Sequence, residues 1–247
     1  MKRWVLLLWL LVPLPVVVWH YGAGQKWLAL DHAYSLITRA ERAEAAGNWA
    51  LAEELYRGAA DKIGNNDPPL RLQLDVAIIR TRYNQGGAVD SIDGITRVLA
   101  DARFHALPGA AQREARELAG RIHYHAAWVM RLEGAQRDLW MEQAESARQN
   151  YRLLTESSLE AGQSSYATTQ HTNLEVSVRL QRMSLIELMS RPLPEEGRKM
   201  VGQGLSEEMA KRRGQRGQDG PPSVGESGEG SPASGAGTTR FPGGTGS

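Results

Sequence analysis

His123 and His125 are the two residues whose type and spacing most readily suggest chemistry, because histidines close together in a sequence are typical zinc ligands. Both lie in a stretch of helical periodicity, and side chains two residues apart in a helix point about 200° away from each other. The two imidazoles therefore cannot share one ion unless other ligands complete the site. We interpret them as one exposed and one half-buried histidine of a long helix, and we expect no metal.

Adjacent carboxylates occur twice, at Glu53–Glu54 and at Glu195–Glu196. We interpret both pairs as solvated residues on helical surfaces, so we assign neither pair as a general acid or base. The sequence contains no Walker loop, His-Glu-x-x-His motif or Gly-x-Ser-x-Gly motif. Its glycine clusters lie near the C-terminus, where they are typical of a linker and not of a phosphate-binding loop. We predict a protein that is not an enzyme and that has no cofactor.

One basic cluster is present, formed by Lys211, Arg212 and Arg213 together with Arg216. Such a cluster next to glycine can bind RNA in a cytoplasmic protein, but the membrane-targeting segment described below argues against nucleic acid as a partner. We interpret the cluster as the solvated start of a linker. Contact with anionic lipid headgroups or with a cell-wall polymer is the alternative.

Composition excludes several classes of function. The chain has 247 residues and a formal net charge of +1, so the net charge of the protein does not attract nucleic acid or an acidic substrate. The length and the apolar content are sufficient for a hydrophobic core. Cysteine is absent, which removes disulfides, thiolate zinc sites and thiol nucleophiles and is compatible with an oxidising compartment.

Residues 1–25 have the pattern of a membrane anchor. Two basic residues precede an uncharged run from Trp4 to Trp19, which as a helix would measure about 24 Å and needs the flank through Gly24 to span about 30 Å of hydrocarbon. Aromatic residues at both ends and the excess of basic residues before the run predict a single uncleaved span with the rest of the chain outside the cytoplasm, at a bacterial inner membrane. A signal peptide cleaved near Gly22 is the alternative.

Downstream of the anchor, apolar residues recur at helical spacing and almost never alternate, which predicts an all-α region. Turns are predicted at Gly47, Gly86 and Gly134, and their separation of roughly forty residues is in the range of helix-pair repeats. Each helix is expected to bury one apolar stripe. The stripes of the first pair are Leu30, Ala33, Tyr34, Ile37 and Ala40, and then Trp49, Ala52, Tyr56, Ala59 and Ile63.

The first turn and the helix after it carry the clearest pattern, and its residues are Gly47, Asn48, Trp49, Ala52, Tyr56 and Ala59. The alanines allow close approach within the pair, and Tyr56 fills the space where the next pair stacks. This segment resembles a tetratricopeptide repeat (TPR), in which Gly, a polar residue and an aromatic residue form the turn and Ala, an aromatic residue and Ala follow. The preceding helix departs from the family, with Leu36, Arg39 and Ala40 where Trp and Leu are usual, and Pro68 comes about four residues late. The resemblance implies a TPR-like solenoid.

The chain is expected to have four regions. An amphipathic helix from His171 to Met189, with Leu174, Val178 and Leu185 on one face, would cap the last repeat. The Gly/Ser/Pro-rich end of the chain cannot bury enough apolar surface to order itself. The regions are an anchor at 1–25, a TPR-like repeat domain at 26–190, a charged and potentially helical extension at 191–213, and a disordered tail at 214–247.

Most aromatic residues lie at core spacing, but Trp128 and Trp140 fall outside their helices' stripes and outside standard repeat positions. We predict that these two side chains line a concave groove and contact a partner.

These features together predict a membrane-anchored scaffold that holds a protein or peptide partner near the bilayer. The layout of anchor, repeats and tail also resembles the accessory proteins that accompany MoxR-type ATPases and von Willebrand factor A proteins in bacteria, including the MxaK-like proteins of methanol dehydrogenase maturation. That resemblance implies a role in assembly or maturation of a membrane or periplasmic complex. The alternatives are a helical bundle that binds an envelope polymer or a small ligand, and a spacer between the membrane and the tail.

Overall fold

The computed structural model describes residues 23–218, with side chains from residue 27 to residue 215. This part of the chain is helical and contains no strand, which confirms the predicted all-α class. A 3₁₀-helix at Ala102–Ala106 separates the second helix pair from the third. The α-helices are α1 (Ala23–Ala45), α2 (Trp49–Ile63), α3 (Pro68–Asn84), α4 (Ala88–Ala100), α5 (Gly109–Leu132), α6 (Arg137–Glu160), α7 (Ser164–Arg182), α8 (Leu185–Met189), α9 (Glu195–Arg198) and α10 (Leu205–Gln218).

Local sequence signals set the ends of these helices. Gly47, Gly86 and Gly134 have φ values of 72°, 94° and 74°, a left-handed conformation that glycine adopts at little cost, and the helices reverse there as predicted. Asp67 caps α3 by accepting a hydrogen bond of 3.0 Å from the backbone N–H of Leu70. Pro68 thus occupies the first position of α3, where its missing N–H costs nothing.

The helices from α1 to α7 pack in series, each against the next along the chain. The close approach of α1, α2 and α3 depends on small residues: Ala52 and Ala59 are fully buried, and Tyr56 is 2% exposed between them. Ala33 and Ala40 of the first predicted stripe are also fully buried. Tyr34 is not, since 54% of it is exposed, so its assignment to the stripe is wrong.

Buried polar contacts fix the stacking of the first two pairs. Glu44 of α1 accepts hydrogen bonds of 2.6 and 2.8 Å from Arg80 of α3, and one of 2.9 Å from the hydroxyl of Tyr56 of α2. Glu53 of α2 is 8% exposed and accepts from Arg82 at the end of α3, at 3.0 Å. The prediction that Glu53 is a solvated surface residue is therefore wrong, because a charged partner on the next pair compensates its burial.

The chain returns to the middle of the array after α7. Helices α8 and α9 pack against α5, and α10 packs against α4, α5 and α6. This C-terminal segment, residues 184–218, is anchored by apolar side chains in the main core. Leu188, Met200 and Leu205 are fully buried.

Charged groups hold α10 in this position. Arg212 pairs with Asp93 of α4, and Arg213 pairs with Asp138 of α6 at 2.6 Å. The side chain of Glu133 accepts hydrogen bonds of 2.8 and 2.7 Å from the backbone N–H and the hydroxyl of Ser206, so a carboxylate from α5 caps the start of α10.

One sequence prediction about this region is corrected by these contacts. The basic cluster at 211–213 is not the solvated start of a linker, because two of its three residues pair with aspartates of the array. Helix α10 starts after two glycines, Gly202 and Gly204, at φ values of 81° and 64°, and it ends at Gln218. The side chain of Arg216 and residues 219–247, including most of the predicted disordered tail, lie outside the described residues.

The helix predicted from His171 to Met189 is two helices. It begins earlier, at Ser164, and stops at Arg182, after which the backbone of Met183 is extended and Ser184 caps the short helix α8. This break rotates α8, so Met189 is 68% exposed and does not share a buried face with Leu174.

None of the helices within residues 23–218 combines the length and the apolar character needed to cross a bilayer. The membrane anchor predicted for residues 1–25 falls almost entirely outside the described part of the chain, which starts at Ala23.

Close packing of α5 on α6 gives a first prediction. A Cβ atom added at Gly120 would lie 2.6 Å from the buried ring of Tyr151, so Gly120→Ala is expected to lower the free energy of unfolding by about 1–3 kcal/mol. Gly58→Ala is the matched control, since its Cβ would meet only Leu36 at 3.5 Å and helix propensity should raise stability by up to about 1 kcal/mol. Chemical unfolding followed by circular dichroism measures both. Equal effects of the two substitutions would contradict the packing account.

Candidate functional site

The end of the array formed by α7 and α8 contains an open groove with a volume of about 640 Å³. We call it the α7–α8 groove. Its volume is in the range of known ligand sites, and it combines an apolar floor with a charged rim. The lining residues are His171, Leu174, Glu175, Val178, Arg179, Arg182, Met183 and Glu187.

The groove exists because α7 is the last helix of the series. One face of α7 is buried, and Ala167, Ser177 and Leu180 on that face are at most 2% exposed. Within residues 23–218, α6 is the helix that packs extensively on α7, so the side of α7 next to its buried face stays open. Leu174 packs against the cluster of Ala147, Tyr151 and Leu154 on α6 and is half-buried, and Val178, one turn later, is also half-buried.

Charged side chains of both signs surround this apolar floor. His171 lies 3.5 Å from Glu175 on the neighbouring turn, and Arg191 pairs with Glu187 at 3.0 Å. Arg179 and Arg182 add two exposed cationic groups. An apolar centre with a polar rim is the usual anatomy of a protein-binding surface.

Exposed apolar residues of α8 extend the surface beyond the groove. Leu188 points inward and is fully buried against the core, whereas Leu185, Ile186 and Met189 are 47%, 83% and 68% exposed. Single exposed apolar residues need no explanation, but three on one five-residue helix beside an apolar groove form a patch of the kind that marks interaction sites.

Arg131 of α5 holds the groove in place. Its guanidinium donates hydrogen bonds of 2.5 and 2.6 Å to the carbonyl oxygens of Leu180 and Met183, at the C-terminal end of α7. The same group lies 4.4 Å from the ring centroid of Trp140 on α6. A cation at the end of a helix satisfies its last carbonyls and complements its dipole, so Arg131 fixes α7 to α5 and α6.

The two tryptophans predicted to line a groove lie elsewhere. Trp128 is 5% exposed and Trp140 is 9% exposed, and both belong to the main buried cluster. The C-terminal segment packs on α5, the helix that carries Trp128. In this arrangement both indoles contribute to core packing, and their contact with a partner stays a prediction.

The two histidines are both buried, which corrects the prediction of one exposed and one half-buried ring. His123 forms a hydrogen bond of 2.7 Å with the side chain of Gln143, and His125 forms one with the hydroxyl of Tyr83. Burial lowers the pKa of His123, and it lowers the pKa of His125 to about 4. The rings have different partners, and within the described residues no group of three or more His, Asp or Glu side chains could hold a metal ion.

A second groove, of about 300 Å³, lies between α3 and α4. Its walls carry arginines and aspartates in close proximity: Arg71 lies 3.3 Å from Asp75, and Arg82 lies 3.6 Å from Asp90. Because these charges already neutralise one another locally, the groove offers less to a charged ligand than its residue types suggest.

No family model matches the sequence, and neither a curated protein nor a solved structure is similar enough to count as a relative. The candidate site is therefore defined by its own geometry alone.

Sequence reasoning predicted helical structure at this site but not its division into α7 and α8, and not the groove. The signal was Ile186, an apolar residue that would lie outside the stripe of Leu174, Val178 and Leu185 in one continuous helix. Periodicity nevertheless predicts a single long amphipathic helix here, because neither Met183 nor Ser184 is a glycine or proline that would indicate the break.

The contacts of Arg131 predict that its removal lowers the stability of the fold considerably. Arg131→Ala should lower the free energy of unfolding by about 3 kcal/mol, because two hydrogen bonds to carbonyls and the contact with Trp140 are lost together. Hydrogen exchange should also become faster in the last turn of α7. Arg179→Ala, at an exposed position of the same helix, is the control and should change stability by less than about 0.5 kcal/mol. A comparable loss in the two variants would refute the anchoring role.

Burial of His125 predicts a defined dependence of stability on pH. Its pKa is lowered from 6.5 to about 4 by burial and by the nearby Arg121, against the opposing effect of Glu196. Between these pH values the unfolded chain binds a proton that the folded chain does not, so stability is full above pH 6.5 and falls as the pH decreases towards 4. The loss attributable to this residue is about 3 kcal/mol.

Chemical unfolding of the wild type and of His125→Asn at several pH values measures this contribution. The variant is less stable at neutral pH, because the contact with Tyr83 is altered, but its stability should fall less steeply between pH 6.5 and 4. Parallel pH profiles for the two proteins would show that His125 does not contribute.

Proposed function

We propose that this chain is a membrane-anchored, TPR-like helical scaffold that binds a protein or peptide partner outside the cytoplasm, at the α7–α8 groove. The observation that carries the proposal is the apolar floor of this groove together with the exposed side chains of α8. The anchor is the apolar run of residues 4–19.

The chemistry of the groove favours a macromolecular partner. Leu174, Val178 and Met183 provide apolar area at the centre, and Ile186 at 83% exposure is positioned to insert into a partner. Binding energy in protein interfaces is concentrated in a few central residues that become dehydrated, while the rim contributes orientation. The arginines and glutamates of the rim would select the charge pattern and orientation of the bound segment.

Anchoring would strengthen such binding. A scaffold and a partner that share one membrane surface meet at a raised effective concentration, so a groove of modest affinity is sufficient. An arrangement of this kind fits the assembly or maturation role that is implied by the resemblance in layout to the accessory proteins of MoxR-type ATPases and von Willebrand factor A proteins.

Binding of an envelope polymer or a small ligand is the second candidate function, and the groove between α3 and α4 is the observation that favours it. It is the weaker candidate, because Arg82 there already pairs with Asp90 and with the buried Glu53. A spacer role would require neither groove.

Site-specific crosslinking in cells tests the proposal. A photo-crosslinking amino acid placed at Ile186 is expected to form a covalent adduct with a defined protein, because this side chain is the most exposed of the α8 patch. The matched control is the same amino acid at Leu159, which is apolar and 61% exposed but lies at the end of α6, outside the groove.

A second pair of variants ties the adduct to the groove. Leu185→Glu combined with Met189→Glu should lower the yield from position 186 about tenfold, because two apolar contacts are replaced by charges. Val201→Glu, an equivalent change at a 50% exposed position in the loop before α10, should leave the yield unchanged. Equal adducts from positions 186 and 159, or insensitivity to the α8 substitutions, would exclude the groove as the binding site.

A further inference from the structure

The first helix of the array is longer than the helix it packs against. Helix α1 has 23 residues and α2 has 15, and the two run antiparallel from the tight turn at Gly47. At 1.5 Å per residue, the start of α1 therefore extends about 12 Å beyond the end of α2. We call residues 23–30 the α1 overhang.

The overhang exposes large apolar side chains. Trp27 is 63% exposed and Leu28 is 48% exposed, whereas Leu30 is already partly buried in the core of the first pair. The next exposed positions along the helix are polar, since Asp31 and His32 follow one turn later. Trp27 and Leu28 are thus two adjacent exposed apolar side chains at the end of α1 farthest from the Gly47 turn, while Tyr34, the other large exposed apolar residue of this helix, carries a hydroxyl and lies beyond Asp31 and His32.

This end of α1 directly follows the apolar run of residues 4–19. Because the span needs the flank through Gly24 to cross the hydrocarbon, Trp27 follows the end of the span by three residues, or about 5 Å along α1. The headgroup region on each side of a bilayer is about 5–8 Å thick. If this segment spans the membrane, Trp27 lies within the headgroup region.

We infer that the α1 overhang lies in the headgroup region of the bilayer, with Trp27 and Leu28 as the side chains that enter it. Tryptophan is enriched at this depth because its ring is apolar and its indole N–H remains hydrogen-bonded. Asp31, one turn further along the same face, limits the depth, since its carboxylate stays in water. The inference rests on the proposed membrane anchor and adds the orientation of the array.

The consequence concerns the position of the binding groove. The array is held by its first helix at the lipid surface, and the α7–α8 groove is at the opposite end of the series of helices. The partner would then be bound at the end of this series, six helices along the chain from the helix at the lipid surface.

The absence of cysteine allows a direct test with the full-length chain, because one introduced cysteine carries the only label. An environment-sensitive nitrobenzoxadiazole dye is attached in turn at Trp27→Cys, Leu28→Cys, Leu10→Cys and Leu159→Cys. Each protein is reconstituted into vesicles of phosphatidylcholine and phosphatidylglycerol, and quenching is measured with aqueous iodide and with lipids that carry a nitroxide near the headgroup.

The labels at positions 27 and 28 are expected to be quenched by the headgroup nitroxide and to be at least about threefold less accessible to iodide than the label at 159. In the Leu28→Cys chain, the additional substitution Trp27→Ala should raise iodide access, because the larger of the two interfacial side chains is removed. The dye is the same in the single and the double variant, so a difference in iodide access between them is due to Trp27 and not to insertion of the dye itself.

Three results would overturn the inference. If the label at position 10 reports the bilayer interior while those at 27 and 28 are as accessible as the one at 159, the anchor stands and the overhang is in water. If the label at position 10 is also in water, the anchor itself fails, and the membrane part of the proposed function fails with it. If protection at 27 and 28 disappears when the protein is diluted at constant lipid, a second copy of the chain covers the overhang.

Discussion

The close approach of neighbouring helices, which small residues make possible, is the constraint on which the rest of the structure depends. Ala52 and Ala59 are fully buried between helices, and at Gly94 a Cβ atom would lie 2.9 Å from Ile79 of the facing helix. A protein interior packed at this density tolerates few voids, so each helix fits only against the neighbour whose large residues face its small ones. Tyr151 over Gly120, at 2.6 Å, is among the tightest such contacts, and it sets the two longest helices of residues 23–218 against each other.

Serial packing has a consequence for function, because the first and last helices of the series from α1 to α7 each have a neighbour on one side only. Exposed apolar side chains near these two ends include Trp27 and Leu28 on α1, and Leu185, Ile186 and Met189 on α8. The C-terminal segment could have covered the second end, but it returns to the middle of the array and buries Met200 and Leu205 there. The candidate surfaces are therefore at the ends, and the aromatic residues of α5 and α6 are enclosed.

Polar residues decide the arrangement of the pairs more than the apolar stripes do. An apolar stripe packs against any surface of similar shape, whereas a buried carboxylate is tolerated only where hydrogen-bond donors meet it. Glu44 meets Arg80 and Tyr56, and Glu53 meets Arg82, so the register between the first two pairs is fixed by these contacts. At the other end of the array, polar contacts of Arg131 also fix the arrangement of the helices, because this residue of α5 contacts both α6 and α7.

The sequence by itself determined the all-α class, the turns at Gly47, Gly86 and Gly134 and most of the buried positions of α2, because period and turn residues are local properties. Only the tertiary structure decided which groups meet. The burial of His123, the pairing of Arg212 with Asp93 and the enclosure of Trp128 depend on helices that are distant in sequence. Periodicity shows which face of a helix is apolar, but not which element covers it or whether any element does. For that reason the helical character of residues 171–189 could be predicted, but the break that separates α7 from α8 and the groove between them could not.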